Sequence, residues 1–250
     1  MTALDKLRDG GTAIGTFAMI DGTLSVEGLA RAGFDFICLD RQHGLLDDAT
    51  VWNQIVAIGK AGKACPWVRI PWNRPEDAMR ALDGGATGIV APMIGSRAEA
   101  EALVRACRYP PEGERSWGPI RAGMNDPVFY TETANESTFV AAMIETRSGF
   151  DNLEDIAATP GLDAIFVGPN DLSFAISSWQ PGMPTHTDFL ADLRRIAEVA
   201  TAHGKIPGIH CADAAMARAA RGWGYRFMTV GGDIGFMVQA AKATVLGARK

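Results

Sequence analysis

The sequence predicts a (β/α)8 barrel, and three observations carry the prediction. The chain has 250 residues, close to the roughly 250 that one such barrel needs. Short apolar runs alternate with helical patterns along its whole length. Polar and charged residues gather at one end of those runs and not at the other.

The apolar runs are 12–20, 34–40, 65–71, 88–94, 139–146, 164–171, 205–211 and 227–233. Each is rich in Val, Ile, Phe, Ala and Gly. Continuous apolar runs of this kind suit strands buried on both faces, as in a parallel sheet. Helical punctuation lies between them. Ser96 and Glu99 make a capping box. Pro75 suits the first position of a helix that stops at Gly84 and Gly85. Leu190, Leu193, Ala197 and Ala200 share one helical face before Gly204. Alternation of this kind favours a closed parallel barrel occupying residues 1–250 as one domain; an open doubly wound sheet is the other architecture it admits. No GxGxxG follows the first run, which weakens a dinucleotide-binding reading. Two stretches lack a clear period, 108–137 and 174–187. They read as long functional loops, with Trp117 and Trp179 shaping a pocket.

Composition narrows the function. The chain is 47% hydrophobic and 21% charged, as an ordinary globular protein is. Its net charge is −5, and it has no basic stripe, so a nucleic-acid partner is not expected. Cys38, Cys65, Cys107 and Cys211 lie far apart with no CxxC, and read as buried reduced thiols of a cytoplasmic protein. The first residues lack the basic-then-apolar pattern of a leader, and no apolar run reaches membrane-spanning length.

Chemistry in such a barrel sits where the strands end. Glu145 and Asp171 end neighbouring runs, so their carboxylates can converge. Two like charges this close need a proton or a cation between them. Two oxygen ligands with open positions suit Mg²⁺, Mn²⁺ or Co²⁺. Each could instead cap the following helix or pair with a nearby Arg such as Arg147. His43 follows Asp40 by three residues; the pair could work as acid and base near neutral pH, or His43 could satisfy a turn. Arg69 interrupts an apolar run and needs an anion, from the protein or from a substrate. The turn Gly168-Pro169-Asn170-Asp171 exposes backbone N–H groups at a helix start, where an anion can bind. Asp83 reads as a helix end that could reach a neighbouring subunit's site. His210 could line the mouth but is left out of the catalytic set. None of the lysines, Lys6, Lys60, Lys63, Lys205, Lys242 and Lys250, ends a strand run. A Schiff-base aldolase needs one there, so an aldolase built on this chain needs a metal instead.

Phe34-Asp35-Phe36 leading to Asp40-Arg41-Gln42-His43, then Val68-Arg69, Tyr109-Pro110-Pro111-Glu112-Gly113-Glu114-Arg115, Ile144-Glu145-Thr146 and Gly168-Pro169-Asn170-Asp171-Leu172-Ser173 resemble the HpcH/HpaI aldolase family, in order and across nearly the whole chain. The resemblance implies a barrel of the phosphoenolpyruvate/pyruvate type and a divalent-metal-dependent aldolase. Its reaction would cleave 4-hydroxy-2-oxo acids reversibly to pyruvate, or a related 2-oxo acid, and an aldehyde through a metal-stabilised enolate. It also implies a hexamer that exchanges the last helix, about residues 235–248. By motif, Glu145 and Asp171 match the metal carboxylates and His43 with Asp40 the acid/base pair. Arg69 matches the pyruvate-binding arginine, and Gly168, Pro169, Asn170 and Asp171 the turn around the pyruvate carboxylate. Gln42 joins the substrate-binding set, and Arg115 and Trp117 are further candidates. Three departures bear on the aldehyde: Gln42 for the usual Glu, Met143 for a Gln, and Ser116-Trp117-Gly118 for Gly-Val-Gly. The rival readings are an acyl-CoA lyase of the citrate lyase β type, which the Asp-x-Gln-His motif disfavours, and a catalytically silent barrel that binds a keto acid.

Overall fold

A strand turns alternate residues to opposite faces, and that period decides what each run puts inside a closed sheet. In a computed structural model, describing residues 1–176 and 187–249, the strands close in sequence order into a parallel barrel. They are β1 (Ala13–Ala18), β2 (Phe36–Asp40), β3 (Cys65–Arg69), β4 (Gly88–Ala91), β5 (Phe139–Ile144), β6 (Ala164–Val167), β7 (Ile206–Cys211) and β8 (Phe227–Gly232). The fold is a (β/α)8 barrel.

The helices are α1 (Ala3–Arg8), α2 (Thr23–Arg31), α3 (Asp48–Ala61), α4 (Pro75–Asp83), α5 (Arg97–Cys107), α6 (Pro127–Ser137), α7 (Arg147–Asp151), α8 (Leu153–Ala157), α9 (Pro169–Ile176), α10 (Thr187–Ala202), α11 (Ala214–Gly222) and α12 (Asp233–Ala248). Pro75 opens α4 and Gly84 closes it. Half of the capping box at α5 forms: Ser96 Oγ accepts from the Glu99 N–H at 3.3 Å, while the Glu99 carboxylate accepts from Gly95, one residue earlier than the box requires. Leu193, Ala197 and Ala200 are buried on α10.

The stretch 108–137 is not irregular throughout, because its end is α6. Asp126 caps that helix by accepting from the Phe129 N–H, and Pro127 supplies its first turn. Ala134 is its one buried residue, so no apolar period marks it. Of the stretch 174–187, α9 takes the first three residues. Residues 177–186, with Trp179, lie outside the described ones.

Inward residues of the lower barrel form an aromatic floor. Trp67 lies between Phe36 and Phe139, with centroids 4.1 and 4.2 Å away. Phe227 meets Trp67 and Phe139 edge-on. Space for these rings comes from small neighbours: a Cβ on Gly208 would stand 2.3 Å from the Phe227 ring. Outward residues such as Ile37, Leu39, Val140, Ala142, Ile165 and Val167 pack under the helices. Filling the lower barrel with rings leaves the inward residues of the upper layer free for chemistry. The four cysteines are buried and free. Among the described residues, no helix is long and apolar enough to cross a membrane.

Candidate active site

The upper inward layer continues the phase of the floor. Phe36 and Cys38 lead to Asp40, Cys65 and Trp67 to Arg69, Phe139, Ala141 and Met143 to Glu145, Ala164 and Phe166 to Gly168, and Ile206 and Gly208 to His210. These upper residues line one cavity of about 330 Å³ at the C-terminal ends of the strands, together with Phe17, His43 and the turn 168–171. A larger cavity, about 860 Å³, opens at the opposite end beside Thr87, Arg121 and Thr138. Convergent carboxylates, not size, mark the smaller one as the site.

Glu145 is 2% exposed. Its Oε1 accepts from the Met93 N–H at 2.8 Å. Its Oε2 is buried and makes no hydrogen bond. Met93 adopts φ 60°, a left-handed conformation that costs a residue with a Cβ about 1 kcal/mol. That strain aims a backbone donor at the carboxylate. Burial pushes the Glu145 carboxyl up to about 7; the Met93 N–H opposes the rise, the Asp171 charge adds to it, and Arg69 opposes it. Neither structural alternative for Glu145 holds. Thr146, not Glu145, caps α7. Arg147 turns to Asp151 and to the Ile176 carbonyl. The free oxygen lies against the residue that follows β6: a Cβ on Gly168 would stand 2.3 Å from it.

Asp171 lies on the first turn of α9, exposed beside the cavity. The first amide to bond back in that helix is Leu172, to the Gly168 carbonyl at 2.9 Å. The N–H groups of Asn170 and Asp171 are therefore those a helix start leaves without partners. Two carboxylates, one with an orphaned buried oxygen, and a pair of unfilled amides fit a divalent cation bound together with an anion. With two carboxylates as its side-chain ligands, this would be an open site with room for substrate.

Arg69 finds its anion in the protein. Asp40 receives its Nε at 2.9 Å and its Nη2 at 2.6 Å, and the guanidinium lies 4.3 Å over the Phe17 ring. Nη1 has no hydrogen-bond partner among the described residues. Asp40 also accepts from the backbone N–H groups of Gln42 and His43, at 3.0 and 3.2 Å. It therefore holds the loop that carries His43 and makes no hydrogen bond to the imidazole. His43 is exposed at the rim.

Residues 13–240 match the HpcH/HpaI aldolase/citrate lyase family. The chain belongs to that family. A hydroxypyruvate/pyruvate aldolase from Rhizorhabdus wittichii is 35% identical over 241 residues, 96% of each chain. A 5-keto-4-deoxy-D-glucarate aldolase from Escherichia coli is 37% identical over 231 residues, 92% of this chain and 89% of its own. A crystal structure of an HpcH/HpaI aldolase/citrate lyase family protein from Burkholderia cenocepacia superposes with a TM-score of 0.93 at 32% identity, covering 100% of both chains.

Four candidates of this HpcH/HpaI barrel stand away from the cavity within the chain. Asp83 ends α4 and accepts from Arg115 at 2.8 Å. Arg115 is itself buried over the Tyr109 ring and bonded to the Tyr130 hydroxyl, so the two form a structural pair at the other end of the barrel. Trp117 is exposed and donates to Thr131 Oγ1. The Gln42 Oε1 is buried without a partner, outside the cavity lining. His210, read from the sequence as able to line the mouth but left out of the catalytic set, does line the cavity, and the Met93 N–H joins it there through Glu145. Counting the β7 phase from Gly208 places His210 in the inward layer. The Met93 N–H carries no residue signal at all.

Proposed function

We propose that this chain is a divalent-metal-dependent aldolase that reversibly cleaves 4-hydroxy-2-oxo acids to pyruvate, or a related 2-oxo acid, and an aldehyde. The observation that carries the reading is the buried, unpartnered Oε2 of Glu145 in a cavity it shares with Asp171. Glu145 and Asp171 would hold Mg²⁺, Mn²⁺ or Co²⁺. When bound, the cation supplies Lewis acidity that draws charge toward the 2-oxo group. The aldolase names of the Rhizorhabdus and Escherichia relatives support the reaction class.

The residues divide the remaining work. The Asn170 and Asp171 amides bind the carboxylate of the 2-oxo acid at the start of α9. Arg69, fixed by Asp40 along one edge, presents Nη1 where charge develops on the oxo oxygen. His43, at the rim, takes the proton from the 4-hydroxyl in cleavage and returns it to the alkoxide in synthesis. Asp40 is a positioning residue that sets both Arg69 and the His43 backbone. The aromatic floor keeps water from reaching the site from below.

The α12 face bearing Met237, Val238, Val245 and Leu246 is exposed and apolar. It supports a homo-hexamer in which the segment about 235–248 packs on a second copy. Buried reduced thiols support a cytoplasmic setting.

Removing divalent metal with a chelator should abolish pyruvate release from a 4-hydroxy-2-oxo acid, and Mg²⁺, Mn²⁺ or Co²⁺ should restore it. Full activity after exhaustive chelation refutes the proposal. His43→Ala should lower kcat by roughly 100-fold or more while leaving Mn²⁺ affinity nearly unchanged; lost metal binding would instead make His43 a ligand.

A further inference from the structure

His210 is the polar side chain in the cavity that this chemistry leaves unused. It is the third inward residue of β7, after Ile206 and Gly208. Val167 pairs with Ile209, so His210 stands level with Gly168, against which the Glu145 Oε2 rests. Its partner across the β7–β8 ladder is Thr229, and the side chains meet, Nδ1 to Oγ1, at 2.9 Å. The Phe17 ring packs against the imidazole with centroids 5.4 Å apart. One nitrogen therefore fixes the ring, and Nε2 has no hydrogen-bond partner among the described residues, in a side chain that lines the cavity.

Burial holds the His210 pKa down to about 4, aided by the Arg69 charge and opposed by Asp40. The imidazole is neutral at pH 7. It offers one N–H or one lone pair and no charge to attract a carboxylate. Which of the two Nε2 presents depends on whether Thr229 accepts from Nδ1 or donates to it. A hydroxyl fits both cases because it donates and accepts. A methyl group fits neither.

Place then selects which hydroxyl. The donor carboxylate belongs to the Asn170 and Asp171 amides, the 2-oxo oxygen to Arg69, and the new 4-oxygen to His43 at the rim. With those three atoms assigned as in the aldolase reading, C3 is the donor atom left for His210, which stands one strand over from Gly168 at the same height. We propose that His210 binds a hydroxyl on C3 of the 2-oxo acid, so that the preferred donor is a 3-hydroxy-2-oxo acid such as hydroxypyruvate. The inference rests on the aldolase reading above. The aldol step keeps its balance: C3 gives up a proton and bonds to the aldehyde carbon, and the aldehyde oxygen takes a proton up.

The test uses Mn²⁺-loaded wild-type, His210→Leu and His210→Gln enzymes with one aldehyde, glycolaldehyde. For each, kcat/KM and calorimetric Kd are measured with pyruvate and with hydroxypyruvate. The wild type should favour hydroxypyruvate by about three- to tenfold, the value of one well-made hydrogen bond. His210→Leu should erase that preference through KM and Kd, leaving pyruvate within about threefold of wild type. His210→Gln, whose amide reaches toward the Nε2 position, should keep part of it. Equal losses for both donors, or an unchanged preference in His210→Leu, overturn the assignment. Wild-type turnover of pyruvate with no preference for hydroxypyruvate sinks the His210 role alone; turnover of neither donor sinks the aldolase reading and this inference with it.

Discussion

Glu145 is held by a single backbone hydrogen bond and buried by everything around it. Its carboxyl is raised from 4.5 to about 7. In metal-free protein the folded state therefore keeps a proton that the unfolded chain gives up. The stability this contributes is fully present below pH 4.5 and is lost as pH rises through 7, by about 3 kcal/mol at most. Urea unfolding of chelated protein between pH 4.5 and 8 should show that loss, and Glu145→Gln should flatten it. Parallel curves for the two proteins contradict the account. Gly168 sets the same oxygen from the other side. Gly168→Ala should lower Mn²⁺ affinity by roughly tenfold or more and cost about 1–3 kcal/mol of stability, since the added Cβ can fit only if Glu145 moves. At this scale much of the site is legible in the sequence. Asp40, Arg69 and Glu145 are charges in apolar runs, which have no reason to be there without partners. Asp40 holding Arg69 rather than the His43 ring was not legible, because spacing does not show which of two neighbours a carboxylate faces.

At the scale of elements, strand ends and amphipathic helices are legible, and a helix that buries little is not. Each apolar run contains its strand, and the surplus residues at the ends of the fifth and sixth runs, Glu145 and Gly168 to Asp171, line the cavity. The helix α6 hides because it buries only Ala134. Its neighbourhood is held by Arg115, whose guanidinium joins α4 through Asp83 and α6 through Tyr130. Arg115→Met should leave the Asp83 carboxylate without its cation and cost about 3 kcal/mol, read by thermal or urea unfolding. A loss within about 0.5 kcal/mol would place that pair among surface contacts instead.

For the whole molecule, the barrel divides into a floor that holds the fold and a mouth that carries the chemistry. The same two-residue period writes both, which is why the architecture could be read before the contacts. The proposed assembly draws on α12, whose Met237 and Leu246 are exposed. If α12 builds the proposed hexamer, Met237→Glu with Leu246→Glu should shift the particle to smaller species by light scattering; an unchanged mass excludes that face from the interface.

The central claim is that one cation sits between Glu145 and Asp171 and meets the donor there. Crystals soaked in Mn²⁺ and pyruvate, with diffraction collected at the manganese absorption edge, test it directly. The account predicts a single strong anomalous peak bonded to both carboxylates and to pyruvate. A peak elsewhere, or none in a crystal that binds pyruvate, contradicts it.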